Sequence, residues 1–100
     1  MDLLLYHRTD KEAAAAILTD RRMVSHDPSG LIWFSNRPDD PNGLDYGDTV
    51  VTVRVPTSIC CLEQVLPRGE KHYTVRACDL RPLHFGSAGR FVSAPPAPRS

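Results

Sequence analysis

Three short stretches of the chain gather side chains able to do chemistry. Tyr6-His7-Arg8-Thr9 sets an imidazole, a guanidinium and a hydroxyl in a row. Trp33-Phe34-Ser35-Asn36-Arg37 offers two flat rings, a hydroxyl and a second guanidinium. Glu63 to Tyr73 holds two carboxylates, Glu63 and Glu70, together with His72 and Tyr73. Arginine forks match phosphate oxygens in pairs, so Arg8, Arg21, Arg22 and Arg37 are candidate diphosphate donors. A flat heterocycle needs a stacking partner, which Trp33 or Phe34 can supply. His72 is a candidate general base, although a strand histidine pointing to solvent is the commoner case.

Each stretch sits at an expected strand end, where a single-sheet domain builds its cleft. Residues 2–7 read as a short apolar strand. Thr9-Asp10-Lys11-Glu12 matches a capping box, which puts the helix start at Asp10. Ala13, Ala14, Ile17 and Leu18 form its inner face, and it frays at Arg21-Arg22. Asp27-Pro28 and Ser29-Gly30 mark a turn before a second strand over 31–35. Residues 36–47 hold too many prolines, glycines and aspartates for a regular element and read as a loop. The alternation of 48–55 makes a strand that Pro56 stops.

Residues 57–66 fit a helical turn and a strand equally. After a turn at 67–70, residues 72–78 read as a strand, and 83–85 as a last short one. The order of elements predicts an α+β domain over residues 1–93, one main N-terminal helix on a small, mostly antiparallel sheet. Residues 94–100, rich in proline, read as a disordered tail.

Lysine and arginine balance aspartate and glutamate at 12 each, which argues against a nucleic-acid partner held by charge. No run approaches a membrane span or a leader peptide, so a cytoplasmic, membrane-free protein is expected. Cys60, Cys61 and Cys78 are odd in number and two are adjacent, which speaks against disulfides; they are expected to be semi-buried thiols. No zinc spacing occurs, and Asp39, Asp40, Asp45 and Asp48 read as turn formers, so no metal is expected. The absence of a glycine-rich phosphate loop argues against a Rossmann or P-loop site.

"LYHRT", then "EAAAAIL", then "GLIWFSNRP" resembles the opening of the ADP-ribosyltransferase-like fold. It is especially similar to small uncharacterised bacterial proteins with His-Arg-Thr, Trp-x-Ser and Glu-Gly-Lys-x-Tyr motifs, the last of which "RGEKHY" resembles. It covers roughly residues 3–80. The resemblance implies that His7 hydrogen-bonds a ribose of NAD, that Trp33 or Phe34 stacks on nicotinamide, and that Ser35 takes the second-motif place.

It also implies NAD as substrate and a toxin or effector role, with a target protein or an antitoxin as partner. Where the related proteins carry a glutamate within two residues of the tyrosine, this chain has Thr74 and Val75, leaving Glu63 and Glu70 as the carboxylates nearby. Two versions follow. One is a transferase with His7, Ser35 and Glu63 or Glu70 in its catalytic set and Arg8, Thr9, Trp33, Phe34, Arg37 and Tyr73 around the nucleotide. The other is a degenerate nucleotide- or protein-binding module of the same fold. A third activity on such a scaffold, RNA 2′-phosphotransfer, asks for more basic surface than a neutral chain has.

Overall fold

The structure, a computed structural model, describes residues 1–38 and 47–90, with side chains through residue 86. Asp39, Asp40, Asp45 and the tail 94–100 lie outside the described residues, as does the proposed boundary at residue 93. The strands are β1 (Asp2–Thr9), β2 (Leu31–Ser35), β3 (Thr49–Pro56), β4 (Cys61–Val65), β5 (Lys71–Arg76) and β6 (Phe85–Arg90), and one helix, α1 (Lys11–Asp20), follows β1. The chain is therefore α+β, the described strands forming one six-stranded sheet in the order β4-β5-β2-β1-β3-β6. Every described strand pair is antiparallel.

Side chains alternate across a strand, so register assigns them to two faces. Leu3, Leu5 and His7 of β1 lie beside Val55, Val53 and Val51 of β3. Ile32 and Phe34 of β2 lie beside Val75 and Tyr73 of β5. These residues share the inner face, and α1 lies over its β3 and β6 side. Leu5, Val51, Val53, Val55, Val75 and Phe85 are buried there with Ala14 of the helix. The outer face carries Tyr6 and Arg8 from β1, Trp33 and Ser35 from β2, and His72 and Thr74 from β5.

Local chemistry explains how α1 begins and ends. Thr9 is still paired with Thr49 as the last residue of β1, so its backbone belongs to the sheet and the expected Thr9 capping box does not form. Asp10 caps instead, in extended conformation, its carboxylate accepting the Ala13 N–H at 2.7 Å. Arg21 ends the helix in the left-handed region at φ 49°, its N–H donating to the Ile17 carbonyl. The Arg21 guanidinium then donates to the Phe85 carbonyl at 2.8 Å, which ties the helix end to β6.

Several elements differ from expectation. Pro56 is the last residue of β3 rather than the residue after it. Residues 57–66 divide: Thr57–Ile59 is a 3₁₀ turn, and Cys61–Val65 is an edge strand exposed along its whole length. Strand β5 stops at Arg76 because Ala77–Asp79 turns. Pro82–His84 is also a 3₁₀ turn, stapled by the Arg81 N–H donating to His84 Nδ1 at 2.9 Å, and the last strand starts only at Phe85. Cys60 is half-buried, whereas Cys61 and Cys78 are exposed, so two of the three thiols are not packed as small hydrophobes.

Candidate functional site

Beyond one rung, β1 and β2 part. Their pairing is confined to Tyr6↔Ser35 among the described residues. The other edge of β1 is paired along all of β3 and the other edge of β2 along β5. The facing edges of residues 7–9 and 31–34 therefore carry backbone groups that no ladder takes up, and a cleft of about 890 Å³ opens beside them. That is within the usual range for a small-molecule site.

His7 stands in the divergence. Its Nδ1–H donates to the Trp33 carbonyl at 2.9 Å, crossing from β1 to β2 by side chain where the ladder has ended. Its ring lies 5.6 Å from that of Phe34, tilted by 59°. Burial lowers the His7 pKa below its ordinary value, and the bond to the carbonyl only partly opposes this. A neutral ring that donates from Nδ1 keeps Nε2 as an acceptor, so His7 can receive one hydrogen bond from a hydroxyl or N–H in the cleft.

Residues from both faces of β2 line the cleft. From the inner face come His7, Phe34 and Ile32, with Ala13, Ala16 and Ile17 of α1. Alanines on that side of the helix keep it slim. From the outer face come Tyr6, Arg8, Trp33, Ser35 and His72. Residues 22–27, with Arg22, Val24 and His26 among them, add a further wall. Ser25 holds that wall to β2, its Oγ–H donating to the Leu31 carbonyl at 2.7 Å and its Oγ accepting the Asp27 N–H.

The residues singled out by sequence fall into two groups. His7, Arg8, Thr9, Trp33, Phe34 and Ser35 line the cleft; Arg37, Glu63, Glu70 and Tyr73 are not among its lining residues. Glu70, only 5 % exposed, meets the cleft through two others: it accepts the Ser35 hydroxyl at 3.3 Å and lies 3.5 Å from His72 Nε2. The other nitrogen of His72 is 3.2 Å from Gln64 Oε1. Glu63, on the edge strand, accepts the Thr74 hydroxyl at 2.7 Å and pushes the neighbouring Cys61 thiol up in pKa.

Arg37 donates from its backbone to Ser35 Oγ at 3.1 Å. Tyr73 is the inner-face neighbour of Phe34 on β5. Arg8 is buried and donates to the Pro38 carbonyl at 3.2 Å. From sequence, Tyr6 has no assigned role although it stands in the first stretch, and of the 22–27 wall only Arg22 is a candidate. The alanine run of α1 was a signal for a slim helix, whereas nothing local announces which residues a connecting segment will face. Among the described residues no cluster of His, Cys, Asp and Glu is arranged to hold a metal, and no helix is long and apolar enough to cross a membrane.

No family model, no curated protein and no solved structure matches this chain.

Proposed function

We propose that this chain is a small ADP-ribosyltransferase-like protein that binds NAD, or a related nucleotide, in the cleft between β1 and β2. One observation carries the reading: the sheet opens after Tyr6↔Ser35, and the residue standing in the opening is a neutral histidine fixed to Trp33 and set against Phe34. His7 Nε2 accepts a ribose hydroxyl, and unladdered backbone groups along the opening, other than the Leu31 and Trp33 carbonyls that Ser25 and His7 occupy, meet a carboxamide. Phe34, buried against His7, holds that ring in place from behind, and Arg22 at the 22–27 wall offers a guanidinium to the diphosphate.

In the transferase version the bond from ribose C1′ to the nicotinamide nitrogen breaks through an oxocarbenium-like state. A bond from C1′ to an acceptor oxygen or nitrogen then forms, and the acceptor releases a proton. A second reading, nucleotide binding without transfer, is favoured by a specific observation: Glu63 and Glu70 both lie off the cleft lining, and Glu70 is engaged with Ser35 and His72. Toxin or effector activity, with a target protein or an antitoxin as partner, belongs to the first version.

Titration calorimetry of the purified chain with NAD tests both readings together with an assay for free nicotinamide. Binding that His7→Ala abolishes supports the site, and nicotinamide release decides for transfer. Absence of NAD binding, or binding that His7→Ala leaves unchanged, ends the proposal.

A further inference from the structure

His84 is buried in the turn before β6, and the function proposed for the cleft makes no use of it. The turn closes on itself twice. The Arg81 N–H donates to His84 Nδ1 at 2.9 Å, and the His84 N–H donates to the Arg81 carbonyl at 2.9 Å. Histidine thus stands where a capping box carries glutamate or glutamine. A backbone N–H can only donate, so the bond to Nδ1 requires a neutral ring whose proton sits on Nε2. Unlike a glutamine amide, an imidazole can lose that acceptor: a proton taken up at Nδ1 sets donor against donor, and the bond breaks.

What the turn holds reaches beyond it. Phe85, the next residue, has its ring in the core, its backbone opposite Val53 and its carbonyl on the Arg21 guanidinium at 2.8 Å. The following rung of the β3–β6 ladder, Val51↔Ala88, comes only after a register shift, so the seat of Phe85 depends on the turn that precedes it. Arg21 in turn ends α1, and the 22–27 wall of the cleft begins at its neighbour Arg22. The charged groups around His84 do not favour a second proton. Arg81 comes from its own turn and Arg21 from the helix end, while β3 beside it offers Val53 and Val55, with Arg54 on the opposite face. Asp79, the nearest carboxylate along the chain, is engaged with Arg76, and no carboxylate among the described residues lies within ion-pair distance of the ring. A buried imidazolium there has no compensating partner, so proton uptake favours opening of the turn over tolerance of the charge.

We propose that the Arg81–His84 turn is a proton-operated latch on the edge strand β6 and, through Arg21, on the 22–27 wall of the cleft. It is closed while His84 is neutral and opens when Nδ1 is protonated. The latch acts whatever the cleft binds.

Amide hydrogen exchange of the full chain at about pH 8 and about pH 5, with each site corrected for its intrinsic rate at that pH, tests the latch in the parent, His84→Gln and Arg21→Gln. In the parent, protection of residues 85–90 and of Arg21 and Arg22 should fall roughly tenfold at the lower pH, the effect of losing one buried hydrogen bond, while β5 is unchanged. His84→Gln, whose amide accepts at either pH, should abolish that fall. Arg21→Gln should confine it to residues 85–90. Equal protection at both pH values in the parent, or the same fall in His84→Gln, overturns the proposal. The ring nitrogens of the parent, followed by 15N spectra, give a reading that needs no variant to fold: Nδ1 of His84 should be bare at the higher pH, and the amide signals of Phe85 and Arg21 should shift as it gains its proton. A proton on Nδ1 in the neutral ring, or signals that stay in place as the ring titrates, overturns the latch as well.

Discussion

The two halves of the sheet are built to different standards. On one side of the opening, β1, β3 and β6 form a closed block: β1 and β3 pair over eight consecutive residues, Leu5, Val51, Val53 and Val55 are completely buried, and α1 covers the inner face. On the other side, β2, β5 and β4 carry Ser35, His72, Thr74 and Gln64 on the outer face, and the half ends in an edge strand exposed from Cys61 to Val65. The β4–β5 ladder is interrupted by a register shift between Leu62 and Gln64, which also keeps the edge from presenting a flat template to other chains. The longest unbroken apolar pairing thus lies in one half, and the polar groups, Ser35, Thr74 and Glu70 among them buried, are concentrated at and beyond the opening.

Substitutions grade this contrast. Leu5→Ala, in the closed block, should lower unfolding free energy by about 3 kcal/mol in urea denaturation, since it removes a fully buried side chain from a continuous core. A loss below about 1 kcal/mol would mean that the closed half is not the stable one. Gly47→Ala should come next. Gly47 has φ 130°, and a Cβ there would collide with the Thr9 carbonyl at the junction of β1 and α1. The expected loss exceeds about 1 kcal/mol, read as a lowered urea midpoint with unchanged slope.

At the opening, acidity is the probe. The His7 pKa is lowered from 6.5 by burial, so as pH falls below that value the unfolded chain takes a proton that the folded chain refuses. Stability should therefore decline as pH falls through the interval between 6.5 and the lowered folded value, and His7→Gln should remove that part of the decline. Nucleotide affinity should fall at lower pH, through the folded value itself, because protonation converts Nε2 from acceptor to donor. A urea midpoint with identical pH dependence in parent and His7→Gln would show that His7 is not shielded. Smallest of all, Leu62→Ser on the exposed edge strand should change stability by no more than about 0.5 kcal/mol. A larger loss would show that the open half contributes more than its burial indicates.

The same contrast governs what can be read from sequence. β3 is legible because Val51, Val53 and Val55 alternate with Thr52 and Arg54, and a half-buried strand has no other pattern. The helix is legible from its alanines, although its cap moved by one residue because β1 pairs through Thr9, a fact about a strand forty positions away. β4 was ambiguous because an edge strand with five exposed residues has no face to bury and hence no period. β6 starts at Phe85 because a histidine staples the preceding turn, which is tertiary information.

Within the cleft, the alternation of Trp33 and Phe34 across the strand puts one of them in the core, and burial selects Phe34. The opening itself was not legible: whether two strands stay paired depends on what each finds on its other edge. The departure at Thr74 and Val75 was visible from the start. The engagement of Glu70 with Ser35 and His72 needed the fold, since Ser35 and Glu70 lie far apart in the chain.

A sheet whose two middle strands, among the described residues, pair at one rung, Tyr6↔Ser35, with the His7–Trp33 bond beside it, has a seam. Amide protons of β3 are locked within the closed block and should exchange with solvent only when the whole molecule opens, whereas those on the free edge of β2 should exchange through small, frequent separations of the two plates. A molecule wedged into the seam would join them, so its clearest mark would be slower exchange along residues 31–34, with the rest of the chain unaltered.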